Sequence, residues 1–191
     1  MKRTILTILV LFSFVILYGQ NTISEDERIK KFEKRRDSVR QSKYGTDYPA
    51  FKVVTLSGDT VTEKELRGKV TLINFWFESC APCMAEMPAL NDLYLKYQNH
   101  PEFQLLSFVR EYPEDAEKCV RKLHIPYPVC PLSDAESYRL NFNDGFPTNI
   151  ITDTQGKIVL IKCGASVEPE KARIAVRKLE EKMIKLFSQQ E

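Results

Sequence analysis

Two cysteines separated by two residues are the part of this chain best suited to chemistry. They lie in the segment Trp76-Phe-Glu-Ser-Cys80-Ala-Pro-Cys83. A pair at this spacing can form and break a disulfide, supply two ligands of a zinc site, or occupy an ordinary turn. The sequence on either side of this segment is needed to distinguish among these three interpretations.

The flanks place Cys80 at the start of a helix. Val70 to Trp76 is typical of a buried central strand, and the pattern from Cys83 onward predicts a helix. The apolar face of that helix carries Met87, Leu90, Leu93, Tyr94 and Tyr97. Unpaired N–H groups and the macrodipole at a helix start favour a thiolate over a thiol. Cys80 is therefore predicted to attack a disulfide and Cys83 to resolve the product, while Pro82 stiffens the loop between them.

The order of the other elements is typical of a three-layer α/β fold. Strands are predicted at Phe51 to Leu56, Phe103 to Val109, Thr148 to Thr152 and Lys157 to Cys163, with an extended piece at Tyr127 to Cys130. Helices are predicted at Glu114 to Leu123, Ala135 to Leu140 and Glu168 to Leu186, the last with Ile174, Leu179, Met183 and Leu186 inward. Parallel strands need helical crossovers, so the active loops are expected at the carboxyl ends of the strands.

The first 20 residues read as an export signal. Lys2 and Arg3 precede an apolar run from Ile5 to Tyr18, which is shorter than the roughly 20 residues that a spanning helix needs. We expect residues 1–20 to be a signal peptide or an uncleaved N-terminal anchor, and the protein to be exported, in a bacterium to the periplasm. Residues 21–43 are predicted to form a charged helical or flexible spacer, and residues 44–191 the folded domain. Ile29, Phe32 and Val39 are expected to be sparse anchors of the spacer.

The charge balance gives no reason to expect a nucleic-acid partner. Lys2 and Arg3 are two of the 28 basic residues, so the rest of the chain has 26 basic and 26 acidic residues. Contact with a membrane is expected only through an uncleaved N-terminal segment.

The sequence from Asn74 to Pro88, with Gly145-Phe-Pro147-Thr148 further along, resembles the thioredoxin fold. More narrowly it resembles the exported TlpA/ResA-like thiol-disulfide oxidoreductases, a branch related to the AhpC/TSA and Redoxin proteins. The resemblance covers roughly Tyr48 to Leu186 and implies a central mixed sheet flanked by helices, with an N-terminal extension. It implies disulfide exchange with proteins and requires no cofactor.

The resemblance also implies roles for residues outside the cysteine loop. Pro147 would be a cis-proline facing the redox pair, and the backbone of Phe146 would pair with an extended substrate segment. Residues expected to contact the substrate are Phe146, Pro147, Ser79 and Trp76. Glu86 matches an acidic position that would help to move the proton of Cys83, and the alternative is a first-turn Glu placed on the helix dipole. Asn74 stands where thioredoxin carries a buried acid.

The main departure from that family is Ser79, where a Trp is expected. The absence of the Trp removes an apolar surface beside Cys80. The negative charge of Glu78 is expected to destabilise the Cys80 thiolate. We therefore expect a modestly acidic Cys80 and a reducing rather than a strongly oxidising couple.

The other residues whose side chains could take part in chemistry are expected to have structural roles. Cys119, Cys130 and Cys163 are expected to be buried free thiols, with a Cys119–Cys130 bridge as the alternative. No metal site is expected, because neither His has the spacing of a zinc ligand relative to another ligand. A thiol peroxidase would have Thr where Phe77 stands. Tyr112, Tyr127 and Tyr138 are expected to be packing groups.

The sequence thus predicts an enzyme, an extracytoplasmic thiol-disulfide oxidoreductase of the protein-disulfide reductase type. Its partners would be protein thiols and disulfides together with an upstream thiol reductant. Candidate substrates are apocytochromes awaiting haem attachment, misoxidised envelope proteins or a peptide-linked pathway. The alternative is a redox-inactive peptide-binding or scaffold protein that keeps the same fold.

Overall fold

The computed structural model describes residues 24–188. The signal-peptide prediction for residues 1–20 therefore lies outside the described residues. The chain divides into two compact units, residues 1–39 and residues 40–191. Between residues 24 and 188, no helix combines the length and the apolar character needed to cross a membrane.

The segment predicted as a helical or flexible spacer is helical from Glu25 onward. Helix α1 spans Glu25–Lys43 and buries none of its residues. The side chains of Ile29, Phe32 and Val39 are 54%, 59% and 39% exposed, so the prediction that they anchor the spacer is wrong. The reason is that charged residues are distributed all around the helix and leave no apolar stripe to bury.

A five-stranded mixed sheet forms the centre of the folded unit. Its strands lie in the spatial order β5-β4-β3-β6-β7. They are β3 (Val70–Trp76), β4 (Phe103–Val109), β5 (Val129–Pro131), β6 (Thr148–Thr152) and β7 (Ile158–Cys163). Strands β3, β4 and β5 are parallel, whereas β6 and β7 run antiparallel to their neighbours. Two short strands, β1 (Lys52–Val54) and β2 (Thr60–Thr62), form a separate hairpin that leads into a 3-10 helix at Glu63–Leu66.

Four helices follow α1 and cover the sheet. They are α2 (Ala81–Tyr97), α3 (Pro113–Leu123), α4 (Asp134–Leu140) and α5 (Pro169–Phe187). Helix α5 buries Ala172, Val176, Leu179, Met183 and Leu186, at spacings of four and three residues. Ile174 is out of phase with this stripe and 46% exposed, so the prediction that it faces inward is wrong.

Alternation along β3 divides the core between two faces of the sheet. Leu72 and Trp76 pack with residues of α2, α3 and α5 on one face. Ile73 and Phe75 pack on the other face with α4 and the segment that contains β1. All seven residues of β3 are buried, which explains why the strand contains no charged residue.

The loops that carry the candidate active-site residues lie at one edge of the sheet. Strands β3, β4 and β5 end there, since Trp76 pairs with Val109 and Val109 with Pro131. Strand β6 begins at the same edge, because Thr148 pairs with Phe75, and β7 ends there at Cys163. The loops after β3, β4 and β5 and the loop before β6 therefore converge.

Candidate active site

Cys80 and Cys83 form a disulfide at the start of α2. Cys80 is the N-cap residue, and its Sγ accepts a hydrogen bond of 3.3 Å from the backbone N–H of Cys83. Pro82 lies in the first turn, where its missing N–H leaves no helical bond unmade. Cys80 is 5% exposed and Cys83 is fully buried, so Cys80 is the sulfur nearer to solvent.

This position favours negative charge on Cys80 in the reduced protein. The N–H of Cys83 already points at the Cys80 sulfur, and the positive end of the helix dipole lies beneath it. Both effects stabilise a thiolate, which is the reactive form in disulfide exchange. Cys83, one turn further along, has neither the same donor nor the same access.

The loop before β6 contains the predicted cis-proline. The Phe146–Pro147 peptide bond is cis, which confirms that conformation. Pro147 is buried, and its carbonyl accepts the N–H of Gly164 at 2.8 Å. The carbonyl of Gly145 accepts the hydroxyl of Thr148 at 2.7 Å and so fixes the loop on its other side. Within residues 24–188, the backbone N–H and carbonyl of Phe146 have no hydrogen-bond partner.

Of the predicted substrate contacts, Ser79 is exposed, Phe146 is half-buried and Trp76 is inaccessible. The Trp76 side chain has no exposed surface, and its indole N–H donates to Ser107 Oγ at 2.7 Å. A direct contact between Trp76 and a substrate is therefore wrong. As the last residue of β3, Trp76 points to the face covered by helices, and its polar atom is satisfied inside the core.

Glu86 is a buried carboxylate within an amide network. It is 1% exposed, and it accepts Asn74 Nδ2 at 2.9 Å and Asn149 Nδ2 at 3.2 Å. Burial raises the pKa of Glu86 to about 7, while the two amides and Lys162 act in the opposite direction. Glu86 is the sixth residue of α2, so the alternative of a first-turn Glu on the helix dipole is wrong.

Asn149 belongs to this network and had no signal in the sequence. It pairs directly with Asn74 across β3 and β6, and Asn74 Nδ2 also donates to its Oδ1 at 2.9 Å. Only the antiparallel register of the two strands brings the two amides together. If that register were known, the two Asn paired across buried strands would indicate a polar site on that face of the sheet.

Glu78 is partly neutralised by a group that the sequence did not indicate. Its carboxylate lies 3.7 Å from Lys122 Nζ on α3, although both side chains are more than half exposed. Its backbone N–H donates to Glu111 Oε1 at 2.9 Å. These contacts hold the segment before Cys80 against α3 and the loop that follows β4.

Arg110 forms an aromatic cluster that sequence reasoning also missed. Its guanidinium lies 4.3 Å from the ring centroid of Phe77 and 5.0 Å from that of Phe146. It donates to the Tyr138 hydroxyl at 3.1 Å. Since Arg110 follows β4 directly, its place at the active-site edge follows from the sheet topology.

The other three cysteines are free thiols, and the alternative Cys119–Cys130 bridge is not formed. Cys119 and Cys130 are buried as predicted, and burial raises their pKa values to about 11 and about 12. Cys163 is partly exposed, so the prediction that it is buried is wrong. It is the last residue of β7, at the edge of the sheet where the active-site loops converge. Residues 24–188 contain no cluster of three or more His, Cys, Asp or Glu side chains suited to a metal ion.

The fold defined by this sheet and its helices is that of thioredoxin. A putative thioredoxin from Neisseria meningitidis, 28% identical, covers 75% of this chain and 91% of its own with a TM-score of 0.64. A putative DsbE thiol:disulfide interchange protein from Chlorobium tepidum, 23% identical, shares the fold with a TM-score of 0.64, over 73% of this chain and 97% of its own.

Sequence comparison then gives the family. Residues 44–161 match the AhpC/TSA family, and the chain belongs to it. It is 31% identical to the thioredoxin-like protein YneN of Bacillus subtilis over 131 residues, or 66% of this chain and 75% of YneN. It is also 31% identical to the thiol-disulfide oxidoreductase ResA of Bacillus cereus over 116 residues. That match covers 60% of this chain and 66% of ResA.

Proposed function

We propose that this chain is a thiol-disulfide oxidoreductase that exchanges disulfides with protein substrates through Cys80 and Cys83. The observation that carries the proposal is the disulfide at the start of α2, with the N–H of Cys83 directed at the Cys80 sulfur. The relatives named as thiol-disulfide oxidoreductases support the same activity. Phe77 occupies the place of the Thr expected in a thiol peroxidase, which disfavours that reaction.

The reaction proceeds in two exchange steps. The Cys80 thiolate attacks one sulfur of a partner disulfide, forming a mixed disulfide and releasing the other partner sulfur as a thiolate. The Cys83 thiolate then attacks the Cys80 sulfur, forming the Cys80–Cys83 disulfide and releasing the second partner thiolate. The partner gains two electrons, and an upstream thiol reductant restores the Cys80–Cys83 dithiol.

Glu86 is proposed to accept the proton of Cys83 before the second step. Residues three apart on a helix lie on the same face, and both side chains are buried. A carboxylate with a pKa of about 7 is suited to accept and return a proton near neutral pH. Asn74 and Asn149 hold this carboxylate in place.

The proposed substrate is an extended polypeptide segment beside the cis-proline. The backbone N–H and carbonyl of Phe146 have no other partner within residues 24–188 and so can pair with such a segment as an added strand. Ser79 is exposed next to Cys80 and is available for contact with the same segment.

The direction is proposed to be reduction of the partner. Glu78 adds negative charge beside the nucleophile that Lys122 only partly offsets, and the Ala81 side chain provides neither a donor nor a cation to stabilise a strongly acidic thiol. A reduction potential of about −120 mV, the value for a dedicated disulfide-forming oxidase, would contradict this direction.

The location is proposed to be outside the cytoplasm, on the basis of the basic and apolar pattern of residues 1–20. Residues 1–20 fused to alkaline phosphatase, which is active only after export, should give activity that the same fusion without them lacks. Equal activity of both fusions would contradict export.

Trapping tests the activity itself. The full chain carrying Cys83→Ala, mixed with insulin as a disulfide substrate, should accumulate a covalent adduct through Cys80 that intact mass spectrometry detects. Cys80→Ala should form none, and Cys163→Ala combined with Cys83→Ala should still trap. No adduct with Cys83→Ala would favour the redox-inactive scaffold.

A further inference from the structure

A cleft opens beside the nucleophile at Ser79. Its volume is about 760 Å³, within the range of sites that bind side chains and small ligands. The residues of this Ser79 cleft used below are Phe77, Ser79, Arg110, Glu111, Tyr112 and Asp134. Ser79 immediately precedes Cys80, so a segment bound at Cys80 passes the mouth of the cleft. A Trp at this position would place a large ring there, whereas Ser leaves the space open.

Arg110 forms a wall of the cleft rather than an open cationic site. Its side chain is only 24% exposed, because the guanidinium lies against the rings of Phe77 and Phe146. Asp134 Oδ1 lies 3.7 Å from its Nε. The positive charge therefore faces aromatic rings and one carboxylate within the protein.

The accessible charge of the cleft is negative. Glu111 accepts a neutral backbone N–H from Glu78, and no cation pairs with it in residues 24–188. The Asp134 side chain is 79% exposed, and its distance from Arg110 is too long for a hydrogen bond. Two carboxylates thus oppose one enclosed guanidinium.

Tyr112 adds an exposed aromatic face to the rim. It is the N-cap residue of α3, makes no side-chain capping bond, and is 78% exposed. The prediction that it is a packing group is wrong, although Tyr127 is buried and Tyr138 packs against Phe146 as expected. An exposed Tyr ring attracts a cation through its π-face.

We propose that the Ser79 cleft binds a Lys or Arg side chain that lies next to the reactive cysteine of the partner polypeptide. The cation would lie between Glu111 and Asp134, with its aliphatic stem along Tyr112 and Phe77. This inference rests on the proposed function and adds to it a preference for basic residues near the partner's cysteine.

Peptide reduction tests the preference. Four cyclic peptides, each with one intramolecular disulfide, carry Lys, Gln, Glu or Phe next to the same cysteine. The second-order rate constant for their reduction by the reduced full chain is measured at low and at physiological salt. The Lys peptide should react about tenfold faster than the Glu peptide at low salt, with Gln between them, and the ratio should shrink as salt screens the carboxylates.

Charge-removal variants locate the effect. Glu111→Gln combined with Asp134→Asn should reduce the Lys-to-Glu rate ratio to about two, with the Gln peptide as the internal reference. Glu170→Gln combined with Glu181→Gln removes the same charge from exposed positions on α5 and should leave the ratio unchanged.

Each other outcome is decisive. Equal rates for all four peptides would overturn the basic-residue preference while the proposed function stands. Faster reduction of the Glu peptide would indicate that Arg110 binds an acidic side chain of the partner. Faster reduction of the Phe peptide would indicate that the cleft binds an apolar side chain. Either result overturns the inference. Reduction of none of the peptides would overturn the proposed function, and this inference with it.

Discussion

Glu86 is the buried titratable residue that is proposed to exchange a proton with Cys83. Burial raises its pKa to about 7, above its ordinary value of 4.5. Between these two pH values the folded protein binds more protons than the unfolded chain. The contribution of Glu86 to stability is therefore fully present below about pH 4.5 and lost as the pH rises through about 7.

The oxidised protein should consequently lose stability between pH 5 and pH 8. The loss attributable to Glu86 is on the order of 3 kcal/mol, and Glu86→Gln should remove most of this pH dependence because an amide does not titrate. Urea unfolding at the two pH values measures it, with the exposed Glu170→Gln as the control. A Glu86→Gln slope equal to that of the control would show that Glu86 does not titrate in this range.

Individual residues show what a sequence can and cannot predict about a site. The roles proposed for Cys80 and Cys83 need only local spacing and a helix start, whereas the cis peptide at Pro147 was implied by the family resemblance and not by the motif around it alone. The expected contact of Trp76 with a substrate is wrong, because its side chain is fully buried. The indole instead donates to Ser107 on the neighbouring strand, a partner that sequence spacing does not reveal.

At the scale of elements, the end of α1 fixes the loop that carries the cis-proline. Arg40 Nε and Nη2 donate to the two carboxylate oxygens of Asp144 at 2.7 and 2.9 Å. Both side chains are largely buried, at 16% and 5% exposure. Asp144 immediately precedes Gly145 and Phe146, so this bidentate pair restrains the entry to the active-site loop.

Arg40→Met should lower the free energy of unfolding by about 3 kcal/mol, because it removes the bidentate hydrogen bonds that compensate the buried carboxylate of Asp144. Urea unfolding of the oxidised protein measures the change. Arg35→Met, at an exposed position on the same helix, should change it by less than about 0.5 kcal/mol. Equal effects of the two substitutions would contradict a restraining role for Arg40.

Elements differ in how well the sequence predicts them. The bounds of β3, β4 and β6 are those expected. For β3 and β4, seven-residue runs without a charged residue give a strong signal. The buried face of α5 differs from the predicted one, because Ala172 and Val176, rather than Ile174, continue the apolar stripe toward the start of the helix. A small residue against a sheet is easily overlooked beside a larger one that faces solvent.

At the scale of the whole folded unit, function depends on segments that are distant in sequence. The turn after β3, Arg110 after β4 and the loop before β6 meet at one sheet edge because of the strand order. The amide pair beside Glu86 and the aromatic cluster around Arg110 arise from that meeting. No local pattern predicts them, which is why the cleft and the network were found only in the structure.

The most direct test of the account is the redox equilibrium of the cysteines in the full chain. The protein is equilibrated in glutathione buffers of known potential and alkylated, and each cysteine is then quantified by mass spectrometry. The account predicts a two-electron transition confined to Cys80 and Cys83, with a midpoint below about −180 mV, while Cys119, Cys130 and Cys163 remain thiols. A pair that does not interconvert, or a transition that involves the other cysteines instead, would contradict it.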